Sequence, residues 1–330
     1  MLTVPPDDRL LADAASWRQD GYGLAIAVVI RTWGSSPRQP GSLMLIREDG
    51  LLAGSVSGGC VEGAVKEAAC QSLSDGKCQR LDFGVADETA WQVGLSCGGE
   101  VSVWICPYQA MQDGLLEDVS TRLSQRQSLH LHCDLTDAGG FVLVSLDDHD
   151  PYHDNTIRPD GSSFQLNLKP MPRQYLIGAV HISQHLAPMA MVAGYEVTVI
   201  DPRQDFANPD RFADVEVIPS WPDEVLNQAD YPLDENTALV TLTHDPKIDD
   251  TALVIALATP MFDHAALGSH RTHSKRCARM RQAGYDDAPI SRIEGPAGLD
   301  IHANTAAEIA VSILASVIKA RRGGNTAKPL

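Results

Sequence analysis

Apolar and polar positions follow two rhythms along this chain, and the rhythm changes near its middle. Over residues 8–19, Leu10, Leu11, Ala14, Ala15 and Trp17 recur at helical spacing and predict a short amphipathic helix. Residues 24–30 form an unbroken apolar run of strand length, which predicts a buried strand of a mixed or parallel sheet. Residues 42–47 predict another strand, closed by the turn Glu48-Asp49-Gly50. Val61, Ala64, Val65, Ala68, Ala69 and Leu73 then share one helical face, with Glu62, Lys66, Glu67 and Gln71 opposite. Residues 79–83 and 101–106 read as strands, 111–125 as a helix, and 129–134 and 141–146 as strands.

Residues 147–173 are polar and hold Pro151, Pro159, Pro170 and Pro172, so the expectation is a linker whose domain boundary lies near Pro170. Beyond it the pattern becomes a regular alternation of strands and helices. Strands are expected near Tyr175, at 196–200, 215–218 and 238–242. Pro188 falls inside the first helix of this half and is expected to kink it or delay its start. The last helix is expected to open at Thr305 with a Glu308 capping box and to end at Arg321-Arg322. The fold class expected is therefore α/β. Residues 1–146 form one α/β domain, 147–173 a linker, 174–322 a Rossmann-like doubly wound domain, and 323–330 a disordered tail.

Composition narrows the partners. The 330 residues carry a net charge of −17, which argues against nucleic acid and against an anionic membrane surface. The first residues lack a basic stretch followed by an apolar core, so no signal peptide is expected, and no apolar run approaches spanning length. Seven cysteines without a CxxC pair predict reduced thiols and a cytoplasmic protein.

Candidate chemistry concentrates in Gly54 to Glu62, GSVSGGCVE, which joins a strand to a helix. Backbone N–H groups and the positive end of the helix dipole make such a turn an anion seat. Gly54, Ser55, Ser57, Gly58 and Gly59 line it, Cys60 falls where the dipole lowers a thiol pKa, and Glu62 follows within the first turn. A tight turn with a buried cysteine is the plain alternative. Cys97-Gly98-Gly99 repeats the theme, and Cys60 and Cys97 flank one pocket if the two loops meet. Ser35, Ser36 and Arg38 form a third loop able to hold an anion or to serve only as a turn. In the second half Gly178 opens a Rossmann-type turn and Asp201 stands at the position that binds a ribose hydroxyl, with Arg203 close by. Val180 replaces the glycine that lets a pyrophosphate approach. His244 and Asp245 follow a strand's C-terminal end, where they suit either acid–base work or a helix cap. His181 begins the first helix of this half.

Taken together, GSSPRQPG, GSVSGGCVEGAV, GLSCGGEV, LIGAVHISQHLAP, VTVIDPR, LTHDPKID, LGSH and GPAGLDIHANTAAEIAVSILA resemble the xanthine dehydrogenase accessory protein family, XdhC/CoxI. The likeness runs from about Arg31 to Arg321 in the family's order. It departs at Val180, since the family usually reads GxGH, and at Ala265, where glycine is usual. The resemblance implies a cytoplasmic, homodimeric chaperone that binds molybdenum cofactor (molybdopterin). It would protect the cofactor while its sulfido ligand is installed, beside a cysteine desulfurase, and deliver it to a molybdenum hydroxylase apoenzyme. On this reading the three loops of the first domain hold the cargo, Cys60 or Cys97 contacts molybdenum, and Glu62 hydrogen-bonds the pterin. Gly178, His181, Asp201, Arg203, His244 and Asp245 would serve a nucleotide. The alternative is an NAD(P)-dependent oxidoreductase using the Rossmann half, with His244 as acid–base.

Overall fold

A computed structural model describes residues 7–34, 38–59, 61–84, 99–136, 139–144, 155–158 and 160–323. Two units, Met1–Pro170 and Met171–Leu330, part inside the proline-rich stretch. The first begins with α1 (Asp7–Gln19) and builds a five-stranded sheet in the order β3-β2-β1-β5-β4. Its strands are β1 (Leu24–Trp33), β2 (Leu43–Arg47), β3 (Leu52–Gly54), β4 (Gln79–Phe83) and β5 (Glu100–Pro107). Every pairing is antiparallel, so the mixed or parallel sheet expected for residues 24–30 is corrected. The run is apolar without a break because both faces of β1 are covered. Leu24, Ile26, Val28 and Ile30 face a core shared with α1, while Ala25, Ala27 and Val29 face α2 (Glu62–Asp75) through Val65 and Ala69.

A second antiparallel sheet, β7-β6-β9-β8, shares the α1 core. It contains β6 (Leu129–Asp134), β7 (Phe141–Val144), β8 (Thr156–Ile157) and β9 (Ser163–Leu168). The linker expected across this stretch therefore holds two strands, because Phe164, Leu166 and Leu168 alternate inward and pair with β6 in full register. The helix expected at 111–125 is shorter: α3 spans Leu115–Ser124, since Gly114 at φ 73° ends a turn just before it.

The second unit has six parallel strands in the order β12-β11-β10-β13-β14-β15. They are β10 (Arg173–Ile177), β11 (Glu196–Ile200), β12 (Glu216–Ile218), β13 (Thr237–Thr241), β14 (Asp263–Ala266) and β15 (Ile293–Glu294). Numbered within the unit this order is 3-2-1-4-5-6, the dinucleotide-fold arrangement whose switch point lies between β10 and β13. Leu176, Val199 and Val240 face α4 (His181–Val192) and α9 (Ala306–Gly323). Tyr175, Ile177 and Leu239 face α5 (Pro222–Leu226) and α6 (Pro246–Leu257). Two further helices, α7 (His270–Gln282) and α8 (Asp287–Ile290), complete the unit. The delayed start expected from Pro188 is not seen; α4 begins at His181 and carries Pro188 on an exposed position. Among the described residues no helix is long and apolar enough to cross a membrane.

Candidate functional site

Strand register puts Gly99 at the end of the sheet where β1 and β4 finish, and puts Gly54 level with Ala27 in the middle of β1. Trp33 at the end of β1 lies opposite Glu100 at the start of β5, Phe83 at the end of β4 lies opposite Val101, and β3 leaves the sheet at Gly54. The chain returning from Trp33 carries Arg38, whose Nε donates to the Ser55 carbonyl at 2.9 Å. Gly99 is buried beside the start of β5. Ser35, Ser36, Cys60, Cys97 and Gly98 lie outside the described residues. β1 also runs three residues further than its apolar stretch suggests: Arg31, Thr32 and Trp33 pair with β5 past an irregularity at Ile30, which leaves Trp33 63% exposed at this end.

The turn after Gly54 has the geometry of an anion seat, and its own chain fills it. Gly54, Gly58 and Gly59 adopt φ of 77°, 105° and 119°, a left-handed region that glycine reaches without strain. The N–H groups of Val56, Ser57 and Gly58 point at Glu62 Oε1 at 3.3, 3.0 and 3.1 Å, joined by the Ser55 hydroxyl at 2.7 Å. Oε2 accepts from the Gly59 and Val61 N–H groups at 2.9 and 3.2 Å and from the Ser57 hydroxyl at 2.6 Å. Burial alone would push this carboxyl up. Hydrogen bonds from Ser57, Ser55 and the Ser57 and Gly58 N–H groups outweigh that and hold it at about 2. Both oxygens of Glu62 point into the turn. Ser55 and Ser57 likewise spend their hydroxyls on it. Arg38 brings positive charge to the same turn through the Ser55 carbonyl.

In the second unit Gly178 (φ 117°) ends β10 at the switch point, where a Cβ would sit 2.6 Å from the Thr243 methyl. Asp201 ends β11 and is fully buried. It accepts the Ala179 N–H at 2.8 Å and takes a two-point grip from Arg203, Nε at 2.9 Å and Nη2 at 2.7 Å. Burial raises the Asp201 carboxyl, but the Arg203 bonds and the Ala179 N–H leave it below its ordinary value. A ribose would have to displace Arg203 to reach this acid. Val180 is the N-cap of α4 and supplies no side-chain cap, while Ser183 bonds back to the Gly178 and Val180 carbonyls. His181 is exposed and touches His185 edge to face at 4.9 Å.

Asp245 caps α6 by accepting the Lys247 N–H at 2.9 Å, and His244 is exposed at φ 65° with its N–H held by Asp249. Asp249 is the residue that sequence reasoning missed. Its buried carboxylate accepts the Thr243 hydroxyl at 2.6 Å and the Thr243 and His244 N–H groups, and Arg276 lies 4.0 Å away. The position of Asp249 in the first turn of α6 hints at this role; nothing in the sequence marks Arg276, which is 1% exposed. Among the described residues no group of three or more His, Cys, Asp or Glu is placed to hold a metal ion.

Comparison with known proteins places these features in context. A family profile described as the XdhC and CoxI family matches residues 17–84, and one described as the XdhC Rossmann domain matches residues 175–317. The chain is 26% identical over 313 residues to the molybdenum cofactor insertion chaperone PaoD of Escherichia coli (strain K12), spanning 94% of this chain and 88% of PaoD. It is 27% identical over 328 residues to a probable xanthine dehydrogenase subunit of Bacillus subtilis (strain 168), spanning 92% of this chain and 95% of that protein. A crystal structure of a Bacillus halodurans protein described as a xanthine dehydrogenase matches with a TM-score of 0.78 at 24% identity, covering 98% of each chain. At that identity the likeness concerns the fold alone.

Proposed function

Because the chain belongs to the XdhC/CoxI family, we propose that it carries molybdenum cofactor as cargo and inserts it into a molybdenum hydroxylase of the xanthine dehydrogenase type. The observation that carries this reading is the nearly end-to-end match to a molybdenum cofactor insertion chaperone. The contact of Arg38 with the Gly54–Glu62 turn supports the first unit as the place of binding. Molybdopterin brings a phosphate and a molybdenum centre held by a dithiolene. In this proposal Cys60 or Cys97 contacts the metal and Gly58 and Gly59 allow close approach. Arg38 offsets the cargo's negative charge, and Ser35, Ser36, Gly98 and Gly99 complete the surround. Glu62 shapes the turn from within. Protection of the cofactor during sulfuration, a cysteine desulfurase partner and a cytoplasmic homodimer belong to the same reading.

The NAD(P)-dependent oxidoreductase alternative has less support. Val180 stands where pyrophosphate must approach, and Arg203 holds the ribose-binding position. Delivery is tested with an apo molybdenum hydroxylase mixed with released cofactor under anaerobic conditions. Adding the folded protein should raise the yield of active enzyme several-fold over free cofactor. No gain over free cofactor, or an equal gain with serum albumin, would remove the insertion role. A parallel titration with NAD(H) and NADP(H) should show no saturable binding.

A further inference from the structure

Three thiols lie together in the core of the first unit, and the cargo-binding reading uses none of them. Cys78, Cys106 and Cys133 are at most 2% exposed and belong to the core that α1 shares with the two sheets. Cys78 immediately precedes β4, and Cys106 lies near the end of β5. The antiparallel register pairs Gln79 with Ile105, so one step back sets Cys78 opposite Cys106. Directly opposed residues in such a ladder have Cα atoms about 4.5–5.5 Å apart, inside the window of about 4.4–6.8 Å that a disulfide spans. The two thiols are in contact. The Cys106 thiol is hydrogen-bonded to that of Cys78, and this bond, ahead of burial, pushes it up. Cys78 spends its own S–H on the Gly139 carbonyl at 3.1 Å, which leaves its sulfur lone pairs to accept. Cys133 differs: it lies on β6 of the other sheet, and its Sγ reaches the Leu131 carbonyl at 4.0 Å. Among the described residues no three such groups are placed to hold a metal ion.

We propose that Cys78 and Cys106 are a redox-sensitive cross-strand pair, which small hydroperoxides close to a disulfide that locks β4 to β5. The ladder already holds the two residues at bridging separation, so closure needs rotation about side-chain bonds and no shift of the strands. Burial shields the pair from bulky reagents and leaves hydrogen peroxide, close to water in size, as the oxidant. One sulfur attacks a peroxide oxygen; the O–O bond breaks, and a sulfenic acid and one water result. The second sulfur then attacks the sulfenic sulfur. The S–S bond forms as the S–O bond breaks, and the oxygen leaves as a second water. The two thiol protons depart in the two waters, each sulfur gives up one electron, and the peroxide is reduced. β4 and β5 flank residues 84–99, which include Cys97, so the bridge fastens the root of that segment. It also narrows the unfolded ensemble, since its ends are distant in sequence.

The full chain is treated with hydrogen peroxide until exposed Cys70 is oxidised. Remaining thiols are then blocked in denaturant and the peptides mapped by mass spectrometry without reduction. A peptide joining Cys78 to Cys106 should dominate the disulfides of these three residues, with Cys133 recovered as a thiol. The non-reducing melting midpoint of the first unit should rise by about 5 °C or more and return after dithiothreitol. Folded Cys133→Ala should still form the bridge, and folded Cys106→Ala should lose both the bridge and the rise. Three results would overturn the proposal: Cys78 and Cys106 both recovered as thiols once Cys70 is oxidised, a bridge to Cys133 in their place, or a bridge that leaves the melting midpoint unchanged or lower. The wild-type measurements decide the matter even where a variant fails to fold.

Discussion

The two glycine-rich turns share one plan, a strand leading through left-handed glycine into a helix N-terminus, yet they treat their backbone N–H groups differently. After β3, five N–H groups and two hydroxyls converge on Glu62. After β10, Asp201 accepts one turn N–H, that of Ala179, and is itself gripped by Arg203. The first turn is completed by a residue of its own helix, so it is organised without any ligand. The second is completed by an acid from the neighbouring strand, and α4 begins without a side-chain cap. A glycine-rich turn at a helix N-terminus is therefore not by itself an open anion site, because a nearby carboxylate can satisfy it internally.

The largest loss should come from removing the acid that completes the first turn. Glu62→Ala leaves the N–H groups of buried Val56 and Ser57 without their acceptor and should cost about 3 kcal/mol in urea unfolding. The same carboxyl sets an acid limit. It ionises at about 2 in the fold against 4.5 ordinarily, so the folded state binds fewer protons between those values. Its stabilisation is complete above 4.5 and disappears as pH falls towards 2. Melting curves of Glu62→Gln should accordingly show a shallower loss over that window than wild type.

In the second turn Arg203→Ala strands a buried carboxylate with backbone partners alone. It should cost about 2 kcal/mol, less than Glu62→Ala because Arg203 is partly exposed and water can replace it. If the order of these two losses reversed, the contrast between the turns would fail.

Glycine substitutions sharpen the comparison further. Gly59→Ala and Gly178→Ala both place a side chain at left-handed φ, at about 1 kcal/mol. Only Gly178 has a neighbour in the way, the Thr243 methyl, whereas Gly59 opens on space. Thermal melts should therefore show the larger drop for Gly178→Ala.

A pH-dependent effect concerns Asp263 on β14. Burial first, and Glu294 second, raise its carboxyl to about 7. The folded state then holds more protons than the unfolded chain, so stability declines as pH rises from 3.8 to about 7 and is level above that. Asp263→Asn should gain stability relative to wild type as pH rises from 4 to 8, by up to about 4 kcal/mol, and nothing at pH 4.

Much of the fold was legible because patterning reports burial. The helical spacing of Leu10, Leu11, Ala14 and Ala15 and the β/α alternation after Tyr175 both describe real packing faces. The direction of β1's partners was not legible, since a run buried on both faces looks the same in parallel and antiparallel sheets. Strand β9 was hidden by the polar residues and prolines around it, although Phe164, Leu166 and Leu168 alternate as a half-buried strand should. Within the candidate site, motif spacing pointed to the Gly54–Glu62 turn but not to the direction of the Glu62 side chain, which depends on hydroxyls and N–H groups converging in space. Arg276 was invisible for the same reason: only the tertiary fold closes over it.

In the proposed function, cargo is held by the first unit's turn and not by the Rossmann turn. Anaerobic titration with molybdenum cofactor released from a molybdoenzyme tests it most directly. Wild type, Cys60→Ala, Cys97→Ala and Asp201→Asn would be compared after circular dichroism has established that each is folded. Saturable, stoichiometric binding is expected for wild type and Asp201→Asn, and weaker binding for at least one cysteine variant. Absence of binding by folded wild type, or a loss confined to Asp201→Asn, would contradict it.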